Sequence, residues 1–260
     1  MKTKFILLSC GRSGSRVFSS AIGYLMNGAS EPYLGEEIFG HNLKQMRKLE
    51  SFYGANGAAA LLQKSFRLQE KQHSQVAVVG VKLKPYVENE MYDDVWRFVK
   101  ENHVRVIHNR RNGLDVCLSR IKHERYPSLK PHYSASDKMG LKRAREIMGL
   151  NVDVPELLRE LKTLQQDNEF YEIKIKDLGI PYLSVTYEDL TSGGRIGLYS
   201  WKQIVNFLGG VGGDITGDQI EKAMGEYGKT TIKPQSEMIL NYDEVVDALT
   251  GTVFEKLLNV

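Results

Sequence analysis

The stretch FILLSCGRSGSRVF, residues 5–18, decides the fold. An apolar run at residues 5–8 leads into a glycine-containing turn at residues 10–16, and apolar residues then recur at helical spacing up to Met26. This pattern predicts a buried strand, a tight turn and an amphipathic helix. Such a turn points successive backbone N–H groups at one place, at the positive end of a helix dipole. The expected ligand of the turn is therefore a phosphate or sulfate group.

The residue types of the turn fit an anion but not a nucleotide–magnesium complex. Gly11 and Gly14 allow the backbone to approach a ligand closely. Cationic and hydroxyl donors come from four further residues: Arg12, Ser13, Ser15 and Arg16. In the ATP or GTP loop, G-x-x-x-x-G-K-[ST], lysine follows the second glycine and a hydroxyl residue binds magnesium. Here Ser15 and Arg16 follow Gly14, so a phosphate-binding loop that works without magnesium fits better.

Composition limits the classes of protein to which this chain can belong. Of the 260 residues, 42% are hydrophobic and 26% are charged, and the net charge is +3. These values are typical of a globular domain, and the small net charge gives no reason to expect a nucleic-acid partner. Cys10 and Cys117 lack metal-ligand spacing, so we expect no metal and a reducing, cytoplasmic setting. No stretch of the sequence approaches the roughly 18 consecutive apolar residues that a membrane span needs.

Apolar runs and helical patterns alternate along the rest of the chain. The patterns predict strands at residues 76–82, 104–109 and 182–186. They predict helices at residues 91–100, 113–123, 155–179 and 201–208 and loops at residues 122–137 and 209–213. Strands that alternate with helices indicate an α/β fold, in which a mostly parallel central sheet has helices on both faces.

A second anion site is predicted where the strand at residues 104–109 ends. Arg110 and Arg111 follow this strand, and the next helix carries Ser119 two turns on. Ligands of open α/β sheets bind at the carboxyl edges of the strands, so both motifs are expected at one edge. Two separate anion sites in one pocket favour a nucleotide that is phosphorylated at two positions.

With both motifs in view, the chain resembles the sulfotransferases that use 3′-phosphoadenosine 5′-phosphosulfate (PAPS). Residues 11–15, GRSGS, resemble the 5′-phosphosulfate loop of that family. Residues 111–119, RNGLDVCLS, resemble its 3′-phosphate motif, with the same interval between arginine and serine.

Further segments extend the resemblance over much of the chain. Residues 185–190, VTYEDL, resemble a later family segment, and residues 233–245, KPQSEMILNYDEV, resemble the C-terminal loop and helix that cover the cofactor. Residues 31–39 and 79–83 are more similar to bacterial carbohydrate sulfotransferases of the trehalose type.

The resemblance implies a P-loop-type three-layer fold, formed by a single sulfotransferase domain over residues 1–260. It also implies that PAPS is the cofactor, with adenosine 3′,5′-bisphosphate as product and no metal. The implied cofactor-binding residues are Gly11, Arg12, Ser13, Gly14, Ser15, Arg16, Arg111, Ser119 and Lys233. The implied partner is a small-molecule hydroxyl acceptor, such as a carbohydrate, and a homodimer stays open.

Catalytic and acceptor-side roles also follow from the resemblance. Arg12 is expected to neutralise charge on the leaving phosphate. Glu37 aligns with a Glu–aromatic segment of the trehalose type and is expected to accept the hydroxyl proton, with Glu36 and Glu31 as fallbacks. Glu36 and Lys82 are expected on the acceptor side.

The chain departs from the family pattern at several points, and other functions stay open. Arg16 stands where family loops carry a second hydroxyl residue, and Gly113 replaces the proline common after the 3′ arginine. The Lys-Thr-His segment of eukaryotic cytosolic sulfotransferases is not evident. His108 is therefore expected to be a hydrogen-bonded residue beside the sheet, not a base. A P-loop small-molecule kinase and a non-catalytic nucleotide-binding protein are the alternative functions.

Overall fold

The computed structural model describes residues 2–12, 14–27, 34–38, 57–72, 77–83, 92–127, 142, 149–210, 212–224 and 234–258. Within these residues, a five-stranded sheet has the order β2-β3-β1-β4-β5. Its strands are β1 (Thr3–Ser9), β2 (Leu34–Ile38), β3 (Val78–Leu83), β4 (Arg105–Arg110) and β5 (Tyr182–Thr186). Every neighbouring pair is parallel.

Helices connect and follow these strands. The first five are α1 (Ser15–Asn27), α2 (Gly57–Gln72), α3 (Tyr92–Glu101), α4 (Gly113–Arg125) and α5 (Val154–Asp177). The later ones are α6 (Tyr187–Thr191), α7 (Gly194–Leu208), α8 (Gly217–Met224), α9 (Gln235–Met238) and α10 (Tyr242–Leu249). Short 3-10 turns lie at Gly212–Asp214 and Glu255–Leu257.

The sheet has a hydrophobic core on each face. Along β1, Ile6 and Leu8 belong to one buried cluster, whereas Phe5 and Leu7 belong to the other, as the period of two in a strand requires. Residues of α2, α3 and the C-terminal half of α5 complete the first cluster. Residues of α1, α6, α7 and α8 complete the second. The three-layer α/β fold predicted from the sequence is therefore confirmed.

The strand order creates a switch point beside β1. From β1, the chain passes through α1 on one face to β2 at one sheet edge. From β4, it reaches β5 at the other edge, and the C-terminal half of α5 on this path packs on the opposite face. The connections that leave β1 and β4 thus diverge to opposite sides. The crevice beyond the carboxyl ends of two such strands is where open α/β sheets bind ligands. Ser9 and Asn109 are paired at this end.

The chain divides into two compact units. The first comprises Met1–Arg110 and Asp167–Met224 and contains the sheet. The second comprises Arg111–Gln166 and Gly225–Val260. In the second unit, Leu150 forms a parallel bridge with Ile239. The Asn241 side chain accepts a hydrogen bond from the backbone N–H of Val152 and donates one to its carbonyl, each over 2.9 Å. A single functional domain over residues 1–260 stays a prediction.

Most predicted elements are present, with some differences in extent. β5 has the predicted bounds, whereas β3 begins at Val78 and not at residue 76. α7 begins at Gly194, seven residues before the predicted 201, and ends at Leu208, followed by the cap residue Gly209, whose φ is 92°. The loop predicted at residues 122–137 is wrong at its start, because α4 continues to Arg125. Most of the remainder, residues 128–137, lies outside the described residues.

Candidate functional site

The loop between β1 and α1 has left-handed backbone at two alternate residues. The φ angles of Arg12 and Gly14 are 71° and 77°. Glycine adopts such angles without steric cost, but a non-glycine residue there is uncommon and costs about 1 kcal/mol or more. Left-handed residues in a loop can turn its N–H groups toward one concave side, which suits an anion. Arg12 thus occupies a strained conformation in the loop that the sequence predicts to bind an anion.

The first turn of α1 supplies further donors. The N–H of Phe18 donates to the carbonyl of Gly14 over 3.1 Å, which is the first hydrogen bond of the helix. The N–H groups of Ser15, Arg16 and Val17 precede that bond and have no acceptor within α1. No acidic residue lies in the first turn. These amides and the helix dipole together favour a negative charge at this end.

Aromatic packing fixes the direction of α1. The ring of Phe18 stacks on that of Trp201 in α7, with 5.4 Å between centroids. The Trp201 indole N–H donates to the carbonyl of Leu190 in α6 over 3.2 Å. Both aromatic residues are at most 2% exposed. The start of α1 is therefore held against the same layer that carries α6 and α7.

The two glycines of the loop have different surroundings. A β-carbon built on Gly14 would lie 2.3 Å from Cε2 and 2.5 Å from Cδ2 of Tyr187. A β-carbon built on Gly11 would meet no described atom within 4 Å. The protein's own packing therefore requires glycine at position 14. At position 11 it leaves open space, which a ligand could occupy.

A buried polar network lies under the carboxyl end of β4. His108 is fully buried, and its Nδ1 and Nε2 lie 3.0 Å from the Tyr182 hydroxyl and the Asn168 amide oxygen, respectively. These partners suit a neutral ring that donates from Nε2 and accepts at Nδ1. Burial, aided by the charge of Arg110, lowers the pKa of His108 from 6.5 to about 4. The prediction that His108 is a hydrogen-bonded residue beside the sheet is confirmed.

Arg110, the last residue of β4, is tied to α5. Its guanidinium lies 3.8 Å from Oε2 of Glu172. The other carboxylate oxygen, Oε1, accepts a hydrogen bond from Lys176 over 2.7 Å. The Lys176 hydrogen bond, with the charges of Lys176 and Arg110, lowers the pKa of Glu172. Glu172 therefore stays ionised and pairs with Arg110, whereas the sequence assigns the anion-binding role to the next residue, Arg111.

In the second unit, Asn112 caps the helix of the predicted 3′-phosphate motif. Its side-chain oxygen accepts hydrogen bonds from the N–H groups of Leu114 (3.0 Å) and Asp115 (3.3 Å). Because the cap occupies these helix amides, an anion bound by the motif would depend on side chains. Arg111 and Ser119, the two predicted anion-binding residues here, are both half-buried.

Close packing explains the glycine after Asn112. A β-carbon built on Gly113 would lie 3.1 Å from Cδ2 of Leu161 and 3.5 Å from Cδ1 of Leu257. A bulkier residue, such as the proline of the family pattern, would push against these leucines. Cys117, on the same helix, is buried as a small apolar residue, as the sequence analysis expects.

Sequence reasoning missed two polar residues near this motif. Lys122, where the predicted helix and the predicted loop overlap, is on α4 at a spacing that shares a face with Asp115 and Ser119. It is 7% exposed, and burial lowers the pKa of its ammonium group. Gln235 is 2% exposed and donates to Asp115. No pattern in the sequence indicates either environment, because both depend on contacts that are distant in the chain.

Several predicted site residues fall outside the described residues or are described by backbone alone. Ser13, Glu31 and Lys233 lie outside the described residues. For three others the structure gives only the backbone: Arg16 in α1, and Glu36 and Glu37 in β2. Residues 31–35, EPYLG, are of turn-prone types, and the sequence predicts a turn there. From Leu34 onward the chain is instead an edge strand, so the turn prediction is wrong at residues 34 and 35.

The backbone places Glu36 and Glu37 near the carboxyl end of β2. Ile38, the last residue of β2, is paired with Leu83 at the end of β3. The register between the strands shifts between Gly35 and Ile38, at the two glutamates. Lys82, the last residue but one of β3, is half-buried and paired with Leu7 of β1. β2 is thus two strand spacings from β1, about 10 Å.

Within the described ranges, no three His, Cys, Asp or Glu side chains are grouped as a metal site. None of the helices that the structure describes is long and apolar enough to cross a membrane.

Comparisons with known proteins give a distant likeness among solved structures. No protein-family model matches this sequence, and no curated protein sequence is significantly similar to it. Among solved structures, the chain is similar to mouse sulfotransferase SULT7A1 complexed with PAP. The identity is 13%, the match covers 97% of this chain and 77% of that chain, and the TM-score is 0.46. At that distance the likeness assigns neither a family nor an activity.

Proposed function

We propose that this protein is a PAPS-dependent sulfotransferase that transfers a sulfuryl group to the hydroxyl of a small molecule. The observation that carries the proposal is the β1–α1 loop at the switch point, where Arg12 is held in a left-handed conformation. The open space at Gly11 and the N–H groups of Ser15, Arg16 and Val17 belong to the same loop. We propose that these groups together bind the phosphosulfate.

The donor set suits this cofactor better than ATP with magnesium. The groups proposed to bind the 5′ side are backbone amides, guanidinium groups and hydroxyls. All of these can donate hydrogen bonds to an anion without a metal. Ser15 and Arg16 stand where an ATP-binding loop has the lysine and the magnesium-binding hydroxyl. On the 3′ side, Arg111 and Ser119 are the proposed ligands of the 3′-phosphate.

Each residue then has a definite task. PAPS supplies an activated sulfuryl group for in-line transfer. Arg12 neutralises the charge that builds on the leaving phosphate oxygen, and such electrostatic stabilisation is usually the largest catalytic contribution. The α1 amides hold the 5′-phosphate together with Ser13 and Ser15, and Lys233 covers the cofactor from the C-terminal segment. Positioning by these groups lowers the entropic part of the barrier.

The proposed acceptor side lies toward β2. Glu37 is the proposed base, with Glu36 as the alternative, and both belong to the strand two positions from β1. Lys82 of the intervening β3 is proposed to contact the acceptor. The resemblance of residues 31–39 and 79–83 favours a carbohydrate. A cytoplasmic location is consistent with Cys10 and Cys117, neither of which forms a disulfide bond.

A thermal-shift and turnover experiment tests the proposal. Adenosine 3′,5′-bisphosphate should raise the melting temperature without added metal, because a ligand at 100 times its Kd stabilises the native state by about 2.7 kcal/mol. Sulfur-labelled PAPS should then label an acceptor from a panel of sugars, phenols, lipids and peptides. Equal stabilisation by AMP contradicts the 3′-phosphate site. Phosphoryl transfer from ATP with magnesium supports the kinase alternative, and tight binding without transfer to any acceptor supports a non-catalytic protein.

A further inference from the structure

One side-chain amide joins three distant segments of the second unit. Gln235, the first residue of α9, is only 2% exposed. Its Nε2 donates to Oδ1 of Asp115 over 2.9 Å and to the carbonyl oxygen of Leu257 over 3.2 Å. The same Leu257 carbonyl accepts from Nδ2 of Asn112 over 2.9 Å. Gln235 and Leu257 thus hold the first turn of α4 at two points.

These hydrogen bonds fix the orientation of the cap. The side-chain oxygen of Asn112 must face the N–H groups of Leu114 and Asp115, which leaves its amino group to face a carbonyl. The Leu257 carbonyl is that acceptor, and Gln235 shares it. A buried polar group that loses its partner incurs the full cost of desolvation, so the network favours one arrangement of the three segments.

The residues held by the network flank those proposed to bind the 3′-phosphate. Arg111 directly precedes Asn112 in the chain, and Ser119 lies one helical turn beyond Asp115 on the same face of α4. Gln235 is also two residues from Lys233 in the chain.

We infer that Gln235 is a positioning residue for 3′-phosphate recognition, and that it acts through Asp115 and the Leu257 carbonyl. The inference rests on the proposed function. Its consequence is that the Glu255–Leu257 turn, close to the end of the chain, belongs to the support of the cofactor site. Loss of the network should weaken recognition of the 3′-phosphate and leave recognition of the 5′ group unchanged.

The chemistry of the network explains why glutamine and not glutamate occupies this position. Asp115 Oδ1 and the Leu257 carbonyl are both acceptors, and only a donor satisfies them. Gln235→Glu keeps the shape but puts a carboxylate against two acceptors. In the double variant Gln235→Glu/Asp115→Asn, the new amide at 115 can donate to the new carboxylate, so part of the lost recognition should return.

The test compares the affinities of adenosine 3′,5′-bisphosphate and AMP by calorimetry in the full chain. For Gln235→Leu and Gln235→Glu, the preference for the bisphosphate over AMP should fall at least tenfold, while AMP affinity stays within about twofold. The double variant should recover part of the preference. Gln219→Ala is the control, because it also removes a glutamine side chain, whose Oε1 accepts a hydrogen bond from the Thr216 N–H over 2.9 Å, but in the first unit.

The outcomes separate the inference from the proposed function. A wild-type protein without preference for the bisphosphate overturns the proposed function and the inference with it. A wild-type preference that persists unchanged in Gln235→Leu or Gln235→Glu overturns the inference alone, as does an equal loss of AMP and bisphosphate affinity. If Gln235→Leu does not fold, the inference is tested by comparing Gln235→Glu with the double variant Gln235→Glu/Asp115→Asn. The inference is overturned if the double variant recovers none of the preference for the bisphosphate over AMP.

Discussion

The aromatic ring of Tyr187 lies against the α-carbon of Gly14, so closely that a β-carbon on Gly14 would be 2.3 Å from Cε2 of the ring. The φ of Gly14 is also +77°, which disfavours any residue with a side chain. We therefore expect Gly14→Ala to lower the free energy of unfolding by roughly 1–3 kcal/mol. Affinity for adenosine 3′,5′-bisphosphate should fall as well, because the loop or the ring must move. Urea unfolding and calorimetry measure the two effects.

Gly11→Ala is the matched control for that variant. A β-carbon at Gly11 meets no described atom within 4 Å, so the stability of the free protein should change little. Affinity for the nucleotide should nevertheless fall, because the methyl group would enter the space assigned to the anion. Unchanged nucleotide affinity in Gly11→Ala would show that the ligand does not approach this position.

Arg12 provides a test of strain stored at the proposed active site. Its φ of 71° favours glycine, so Arg12→Gly should be more stable than Arg12→Ala by about 1 kcal/mol, the reverse of the usual order. Both variants should lose turnover by roughly 10²–10³-fold, because neither can stabilise the leaving phosphate. Urea midpoints and labelled-PAPS turnover measure these effects. A more stable alanine variant would contradict the strained conformation.

Adjacent arginines at the end of β4 have different predicted roles. Arg111→Lys should weaken binding of adenosine 3′,5′-bisphosphate by roughly tenfold, since lysine cannot copy the two parallel hydrogen bonds of a guanidinium. Arg110→Lys should have a smaller effect, because lysine can keep an exposed ion pair with Glu172, and such pairs contribute little. Calorimetry on both variants tests the order, and the reverse order would move the 3′-phosphate ligand to Arg110.

Local patterns were sufficient to predict the elements around the switch point. In β1, residues 5–8 are apolar because both faces are buried, and this run is readable without knowledge of its neighbours. The same holds for β4 and β5. The tight turn between β1 and α1 was also predictable, since it depends on residues that are consecutive in the chain.

Elements that depend on distant contacts were not predictable. β2, with the sequence LGEEI, contains glycine and two glutamates, and among the described strands it pairs with β3 alone, at the sheet edge. Such a strand carries no clear alternation of apolar and polar residues. The hydrogen bond between Gln235 and Asp115 joins residues 120 positions apart, and no local sequence pattern predicts it. The packing of Tyr187 on Gly14 is likewise a contact between distant residues that no local pattern indicates.

The proposed base is tested at the two glutamates of β2. Glu37→Gln should lower turnover by roughly 10²–10⁴-fold, the usual contribution of a general base, with little change in nucleotide affinity. Glu36→Gln is the control. Neighbouring residues of a regular strand point to opposite faces of the sheet, but the register shift falls on this pair, so a direct comparison is needed. Full activity of Glu37→Gln excludes it as the base, and loss only in Glu36→Gln transfers the role to Glu36.

The lowered pKa of His108 predicts how the free energy of unfolding depends on pH. Its pKa is lowered from 6.5 to about 4 in the folded protein, so between these values the unfolded chain binds more protons and stability falls as pH falls. At pH 5 this loss should be about 2 kcal/mol relative to pH 7.5. His108→Gln keeps Asn168, Tyr182, Arg110 and Glu172 in place but cannot titrate. The stability of wild type relative to this variant, from urea unfolding, should therefore decrease by that amount at pH 5, and a difference independent of pH would contradict a neutral, buried His108.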